Sequence, residues 1–197
     1  MANENIEIED NFIKHKEFDR LHQLMLVHKE FPWIYNETVD FVGDVDNPHK
    51  FQFTHSFYQR YRWSYSNREK DIQDLQPIIT KIKPISILRI KANLLTRTPN
   101  IVENEFHVDF GMTEEKLKLW TTSILYMNSN NGYTLFEDGT KVESVANRMV
   151  TFPANMKHTG TTCTDEKVRV VINFNYFKDE GPYYLWEEPS HIPKIKT

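Results

Sequence analysis

The chain has 197 residues, enough for one domain with a large core, and its 39% hydrophobic and 13% aromatic content is typical of a globular protein. Its net charge of −4 gives no electrostatic basis for nucleic-acid binding. A single cysteine, Cys163, excludes an internal disulfide framework, so we expect a reducing, cytoplasmic compartment and an unreactive loop thiol. No apolar stretch reaches membrane-spanning length and the N-terminus is polar and acidic, so we expect neither membrane association nor a signal peptide.

The first half of the chain mixes strand and helix patterns. The polar residues 1–10 are compatible with an edge strand, and apolar residues at near-helical spacing predict a helix within 12–29. Short aromatic runs at 33–35 and 51–55 predict strands. A second helix is predicted over 71–82, with Pro77 marking either its start or a kink.

From residue 85 onward the pattern is one strand after another, each bounded by Asn, Gly or Pro. The first of these strands, Ile85–Leu95, places Arg89, Lys91 and Asn93 on one face. Residues 137–140 predict a hairpin turn. Helices followed by a run of strands indicate an α+β fold: a jelly-roll (double-stranded β-helix) barrel with supporting N-terminal helices. We expect one domain, 1–197, with its jelly-roll core at about 85–178 and an extended tail at 181–197.

The segment Phe106–Phe110 holds the most informative motif, His107-x-Asp109. In a strand, residues two apart project from the same face, so His107 and Asp109 would point together while Phe106, Val108 and Phe110 pack on the core side. The 49 residues from Asp109 to His158 allow several antiparallel strands to return the chain to the same rim.

Two histidines and one carboxylate form the ligand set of a mononuclear non-heme Fe(II) site, with three coordination positions left open. Any one of these residues alone is an ordinary core or surface residue, and a lone His-x-Asp occurs often by chance. The order and separation of all three favour the metal site.

Arg169 opens the final apolar run of the chain. Alternation puts Arg169, Val171, Asn173 and Asn175 on one strand face and packs the intervening residues on the other. A buried arginine behind a metal site is suited to bind a dicarboxylate. The alternative is a strand-edge charge that pairs with Asp165 or Glu166.

These motifs resemble the Fe(II)/2-oxoglutarate-dependent dioxygenases, in particular their prolyl-hydroxylase-like branch, over about residues 86–178. The matching segments are His107-x-Asp109, the strand 122–128 around Tyr126, the strand 131–136 around Thr134, His158, and the final strand 169–177. Asn131 departs from the family pattern, in which a glycine stands at that position.

The resemblance implies that His107, Asp109 and His158 bind Fe(II), and that Arg169 pairs with the distal carboxylate of the cosubstrate 2-oxoglutarate. Tyr126 and Thr134 would assist at the same end, although both fit ordinary barrel packing equally well. Asn93 would lie near the metal-bound end of the cosubstrate. The expected reaction is hydroxylation of a substrate C–H, with succinate and CO2 as co-products and ascorbate as an additional cofactor.

Two other classes remain open: a cupin-type metal-binding barrel without oxygenase activity, and an idle interaction domain. Among oxygenase substrates, a peptidyl proline and a small metabolite are favoured over a nucleobase. We expect the substrate rim to lie in the segments Phe57–Asn67 and Leu94–Asn104, the first of which could equally be an aromatic core edge. The sequence does not predict the oligomeric state.

Overall fold

The structure, a computed structural model, describes residues 5–39, 50–59, 62–63 and 68–178. Its helices are α1 (His15–His22), α2 (Arg68–Ile82) and α3 (Glu114–Leu117), and a π-helical turn, Gln23–Val27, continues α1. Its strands are β1 (Glu7–Glu9), β2 (Ile34–Asn36), β3 (Gln52–Gln59), β4 (Arg62–Trp63), β5 (Ser86–Thr96), β6 (Thr121–Tyr126), β7 (Tyr133–Phe136), β8 (Lys141–Glu143), β9 (Met149–Pro153), β10 (His158–Gly160) and β11 (Val168–Phe177).

The strands form two antiparallel sheets. The larger sheet has the order β1-β9-β6-β11-β5-β3-β2, with β4 paired to β3, and the smaller has the order β10-β7-β8. This arrangement confirms the predicted α+β jelly-roll class. The sequence had predicted a barrel, but the sheets are not closed into one. The strands β7, β8 and β10 are short and pair with one another.

The long strand β11 shows how the sequence sets the layers. Val170, Ile172 and Phe174 pack in one core cluster with α1 and α2 residues such as Leu21 and Leu75. Burial of each such side chain contributes roughly 1.5–3 kcal/mol. The alternate residue Val171 belongs to a second cluster with β6, β7 and β9. The predicted alternation of β11 is therefore confirmed, and its polar residues face away from the helices.

Most predicted elements are present with shifted ends. β1 lies at the sheet edge against β9, and the predicted hairpin joins β7 to β8 through Gly139, whose φ of 87° suits glycine. The first helix, His15–His22, lies within the predicted range 12–29. The second begins at Arg68 and carries Pro77 inside it, so Pro77 does not mark its start.

The prediction of a strand over Phe106–Phe110 is wrong. His107 forms an isolated antiparallel bridge with His158, with reciprocal backbone hydrogen bonds of 3.0 and 3.1 Å, and Asp109 lies in a bend. Phe106 is 41% exposed instead of packing in the core. The Asp109 carboxylate instead contacts polar partners on β5 and β11, namely Arg89 and Asn175.

The two segments expected to form the substrate rim differ. Phe57 is buried in the core against Phe31, while residues 60–61 and 64–67 lie outside the described residues. Leu95 and Asn104, from the second segment, line the cavity described below. The predicted C-terminal tail, 181–197, also lies outside the described residues. None of the described helices is long and apolar enough to span a membrane.

Candidate metal and cosubstrate site

A cavity of about 330 Å³ lies where β5 and β11 meet β7, β10 and the segment 104–109. This volume is at the small end of the usual range for small-molecule sites. His107, Asp109 and His158 line it together with Arg169, Thr134 and Asn93. Six of the seven residues that the sequence predicted for the site thus reach the cavity, from β5, β7, β10, β11 and the segment 104–109. The seventh, Tyr126, lies behind the cavity wall, where it contacts Thr134.

The three metal-ligand candidates converge. One ligand atom from each of His107, Asp109 and His158 lies within 4.8 Å of the others. The Nδ1 atoms of His107 and His158 lie 3.0 and 3.2 Å from the backbone carbonyls of Glu105 and Met156. With a hydrogen on each Nδ1, as those carbonyls favour, both Nε2 atoms carry the lone pair that a metal requires.

Asp109 is held as a carboxylate by several donors. Arg89 Nη2 lies 2.9 Å from one oxygen and Asn175 Nδ2 donates to the other at 2.6 Å. Burial acts to raise the pKa of Asp109, but the charges of Arg89 and His158 and the Asn175 hydrogen bond outweigh it, so the pKa lies well below its ordinary value. The group therefore stays ionised over the physiological range.

His158 is held in a largely apolar setting. It is 3% exposed and meets the Phe152 ring edge-on at a centroid distance of 4.8 Å. Burial lowers its pKa, partly offset by the nearby Asp109 carboxylate. The neutral imidazole is the form that binds a metal.

Arg169 is a buried cation without an acidic partner among the described residues. It is 3% exposed, and it donates from Nε to Ser144 Oγ at 2.8 Å and from Nη2 to Thr134 Oγ1 at 3.2 Å. Burial lowers its pKa, but an arginine stays protonated. The alternative of a strand-edge charge paired with Asp165 or Glu166 is wrong, because Arg169 is buried and its side chain donates to Ser144 and Thr134, with no ion pair to either acid among the described residues.

The hydroxyl groups around Arg169 form a hydrogen-bond network with it. Tyr126 is fully buried and its hydroxyl donates to Thr134 Oγ1 at 2.8 Å, while Arg169 donates to the same oxygen. A threonine hydroxyl accepts two hydrogen bonds and donates one. Both acceptor positions of Thr134 are filled, so its own hydrogen remains available to donate to a further acceptor. Tyr126 contacts Thr134 here, rather than lining the cavity as the resemblance had implied.

Two glycines make room for the Arg169 side chain. A Cβ at Gly132 would lie 2.7 Å from Arg169 Cδ and 2.7 Å from the Thr162 carbonyl oxygen. A Cβ at Gly160 would lie 3.2 Å from Arg169 Nη1. The position of the guanidinium therefore depends on the absence of side chains on both neighbouring segments.

Three supporting residues were not nominated from the sequence: Arg89, Asn175 and Ser144. The strand alternation carried a signal for two of them, because Arg89 shares a face with Asn93 and Asn175 shares a face with Arg169. β5 and β11 pair in register, so that Asn175 lies opposite Arg89. Nothing in the sequence pattern indicated Ser144, which follows β8, because it contacts Arg169 only in the folded chain.

Comparison with solved structures reveals the same overall fold. The Pseudomonas putida prolyl-4-hydroxylase superimposes with a TM-score of 0.52 at 12% identity, covering 91% of this chain and 95% of that one. A Trichoplax adhaerens prolyl hydroxylase, solved with a hypoxia-inducible-factor peptide fragment, gives 0.60 at 12% identity, covering 89% and 84%. The α-ketoglutarate-dependent epimerase SnoN from nogalamycin biosynthesis gives 0.60 at 10% identity, covering 94% and 85%.

No protein-family model and no curated protein matches the chain. The structural matches are nevertheless prolyl hydroxylases and other 2-oxoglutarate–Fe(II) oxygenases. The chain therefore has the fold of these oxygenases, and the resemblance inferred from the sequence is confirmed at that level. Within this fold it carries a possible metal-binding His-Asp-His triad.

Proposed function

We propose that this chain is a single-domain Fe(II)- and 2-oxoglutarate-dependent oxygenase that hydroxylates a C–H bond of a small molecule or peptide. The observation that carries the proposal is Arg169: a buried cation, without an acidic partner among the described residues, in the same cavity as a His-Asp-His triad. A buried unpaired charge costs several kcal/mol. A bound dicarboxylate that reaches from the metal to Arg169 offsets that cost.

The donor set fits Fe(II). Two neutral imidazole nitrogens and one ionised carboxylate on one side of a cavity match the facial triad of non-heme iron oxygenases. His107, Asp109 and His158 would hold the metal, and Arg89 and Asn175 would hold Asp109 in place. When bound, the iron supplies activation of O2 coupled to oxidation of 2-oxoglutarate to succinate and CO2.

The opposite end of the cavity fits the distal carboxylate. Arg169 and Asn173 are four residues apart on β11, which separates their backbones by roughly 13 Å. The Arg169 guanidinium and the Thr134 hydroxyl would donate to the carboxylate, while Ser144 and Tyr126 position these donors. Asn93, opposite Val171 in the β5–β11 ladder, lies between the two ends and would face the metal-bound part of the cosubstrate.

The test is metal and cosubstrate binding followed by turnover. Mn(II), as an oxygen-stable substitute for Fe(II), should bind at about one per chain. His107→Ala should abolish binding and Lys116→Met, an exposed lysine on α3, should not. With Fe(II) and O2, with and without ascorbate, the wild type should form succinate slowly from 2-oxoglutarate. Stoichiometric Mn(II) binding without 2-oxoglutarate binding or succinate would instead indicate a metal-binding barrel of the cupin type.

A further inference from the structure

We infer that the substrate is a small carboxylic acid, bound by Lys91 at the metal end of the cavity, that also carries a neutral N–H or O–H group for Asn173. This inference rests on the proposed function and specifies its substrate class. It starts from Lys91, a cavity-lining cation with no role in holding the metal or the cosubstrate.

The position of Lys91 separates it from the cosubstrate carboxylate. In the β5–β11 ladder Lys91 lies opposite Asn173, whereas Arg169 lies opposite Leu95 at the other end. Asn173 contacts Asp109, its Nδ2 lying 3.5 Å from the carboxylate. Lys91 therefore lies at the metal end of the cavity, away from Arg169.

With Fe(II) and 2-oxoglutarate bound, the cavity would carry a net positive charge that one further anion would neutralise. Among the described residues, three cationic side chains line it, Arg89, Lys91 and Arg169, against two carboxylates, Glu105 and Asp109. The charges of Fe(II) and of 2-oxoglutarate cancel each other. One positive charge remains, although the whole chain carries −4. A singly charged carboxylate balances it, whereas a phosphate dianion would leave the site negative.

A second observation adds the hydrogen-bond donor. Asn173 is 8% exposed and lines the cavity, and its Oδ1 is buried without a hydrogen-bond partner among the described residues. A buried acceptor left without a hydrogen bond destabilises the protein. Since Asn173 lies opposite Lys91, a ligand with a carboxylate and a nearby donor satisfies both groups.

The titration of Lys91 offers a measurement specific to this role. Burial, and then the charge of Arg89, lowers the pKa of Lys91 to about 8, against the opposing effect of Asp109. In the described part of the chain, the remaining charged group of this wall is Glu105, and the strand neighbours Ser56 on β3 and Asn173 on β11 are uncharged. Lys91 therefore loses its charge as the pH rises through about 8, and a bound carboxylate restores it.

The experiment uses the full chain loaded with Mn(II) and 2-oxoglutarate without oxygen. N-acetyl amino acids and their matching carboxamides, and hydroxy acids and their methyl esters, are titrated calorimetrically at pH 7 and at about pH 8.5 in buffers of different ionisation enthalpy. At least one acid should bind about tenfold or more tightly than its neutral partner, with proton uptake at the higher pH. Lys91→Met should remove that preference and the proton uptake, Lys91→Arg should keep the preference, and Lys116→Met is the matched control.

Three results would overturn the inference: no acid preferred over its neutral partner, the same preference in Lys91→Met, or a loss of 2-oxoglutarate affinity in Lys91→Met as large as that in Arg169→Ala. The last result would make Lys91 a cosubstrate ligand. Inorganic phosphate that competes better than the acids would also contradict the carboxylate assignment. The Mn(II) and 2-oxoglutarate titrations of the wild type test the proposed function separately, since they involve no substrate.

Discussion

At the scale of single residues, the two buried charges of the site, Arg169 and Asp109, differ in whether the protein supplies a partner of opposite charge. Arg169 has two hydroxyl acceptors and no acidic partner among the described residues, while Asp109 has Arg89, Asn175 and Asn173 around it. The Asp109 carboxylate is thus stabilised in the metal-free protein, whereas Arg169 has no counter-ion among the described residues. This asymmetry separates a ligand-binding charge from a structural one.

Arg169 should matter for the cosubstrate and not for stability of the ligand-free protein. Arg169→Met removes an unpaired buried cation, so the free energy of unfolding of the metal-free protein should stay equal or rise. Affinity for 2-oxoglutarate should fall by about 2–5 kcal/mol, because one partner of a desolvated charge pair is lost. Calorimetry with Mn(II) measures this, and 2-oxobutyrate, which lacks the distal carboxylate, should bind both proteins alike. A destabilised variant with unchanged 2-oxoglutarate affinity would make Arg169 a structural residue.

Arg89 should tune the metal without binding it. Its Nη2 lies 2.9 Å from Asp109 and its Nε donates to the Asn175 side-chain oxygen at 2.9 Å, so it holds the carboxylate directly and also holds Asn175, which donates to that carboxylate. Loss of such supporting contacts typically costs 10–100-fold in metal affinity. Arg89→Met should weaken Mn(II) by about that factor, measured by competition with a chelator. Arg97→Met, an exposed arginine just after β5, is the control, and an equal effect in both variants would contradict the role of Arg89.

At the scale of elements, the in-register pairing of β5 with β11 builds one wall of the site. Arg89 opposite Asn175, Lys91 opposite Asn173 and Asn93 opposite Val171 all follow from the alternation of side chains. The segments around Gly132 and Gly160 then approach this wall closely because neither residue has a side chain.

A side chain at position 132 should displace Arg169 and weaken 2-oxoglutarate binding. Gly132→Ala places a methyl group 2.7 Å from Arg169 Cδ and from the Thr162 carbonyl, so the guanidinium has to move. Affinity for 2-oxoglutarate should fall at least about tenfold while Mn(II) affinity is retained, since no ligand of the metal moves. Gly111→Ala, where an added Cβ meets nothing within 4 Å, should behave as wild type in the same titrations. Unchanged cosubstrate binding in Gly132→Ala would show that Arg169 adapts freely.

The elements also show which features the sequence could predict. Strand alternation predicted the two faces of β11 and hence the inward direction of Arg169, because a period of two is a local property. The same rule failed for Phe106–Phe110, where Asp109 leaves the strand path to reach Arg89 and Asn175, partners 20 and 66 residues away. The convergence of His107 and Asp109 was predicted through a strand that the structure lacks. Ser144 could not be predicted because its contact with Arg169 exists only in the folded chain.

At the scale of the whole molecule, the site bridges the two sheets. Arg169 and Asn175 belong to β11 of the larger sheet, whereas Thr134 and His158 belong to β7 and β10 of the smaller one. His107 joins β10 through its isolated bridge and its ring contact with His158. Among the described residues, the strands of the smaller sheet form no ladder with the larger sheet, so its position there depends on side-chain packing in the second core cluster and around the cavity.

Metal and cosubstrate together should therefore protect the smaller sheet from hydrogen exchange. Mn(II) joins His158 to the bend at Asp109, and 2-oxoglutarate joins Thr134 to Arg169, so both ligands connect the sheets. At 100 times its dissociation constant a ligand stabilises the folded state by about 2.7 kcal/mol, which slows global exchange about a hundredfold where global opening dominates. Amides of β7 and β10 should slow more than those of β1, at the far edge of the larger sheet, measured by mass spectrometry with and without ligands. His158→Ala should abolish the effect of Mn(II). In parallel samples, Lys116→Met should show the same protection as the wild type. Equal slowing of β1 and of β7 would mean that the sheets already move as one body and that the ligands stabilise the fold as a whole.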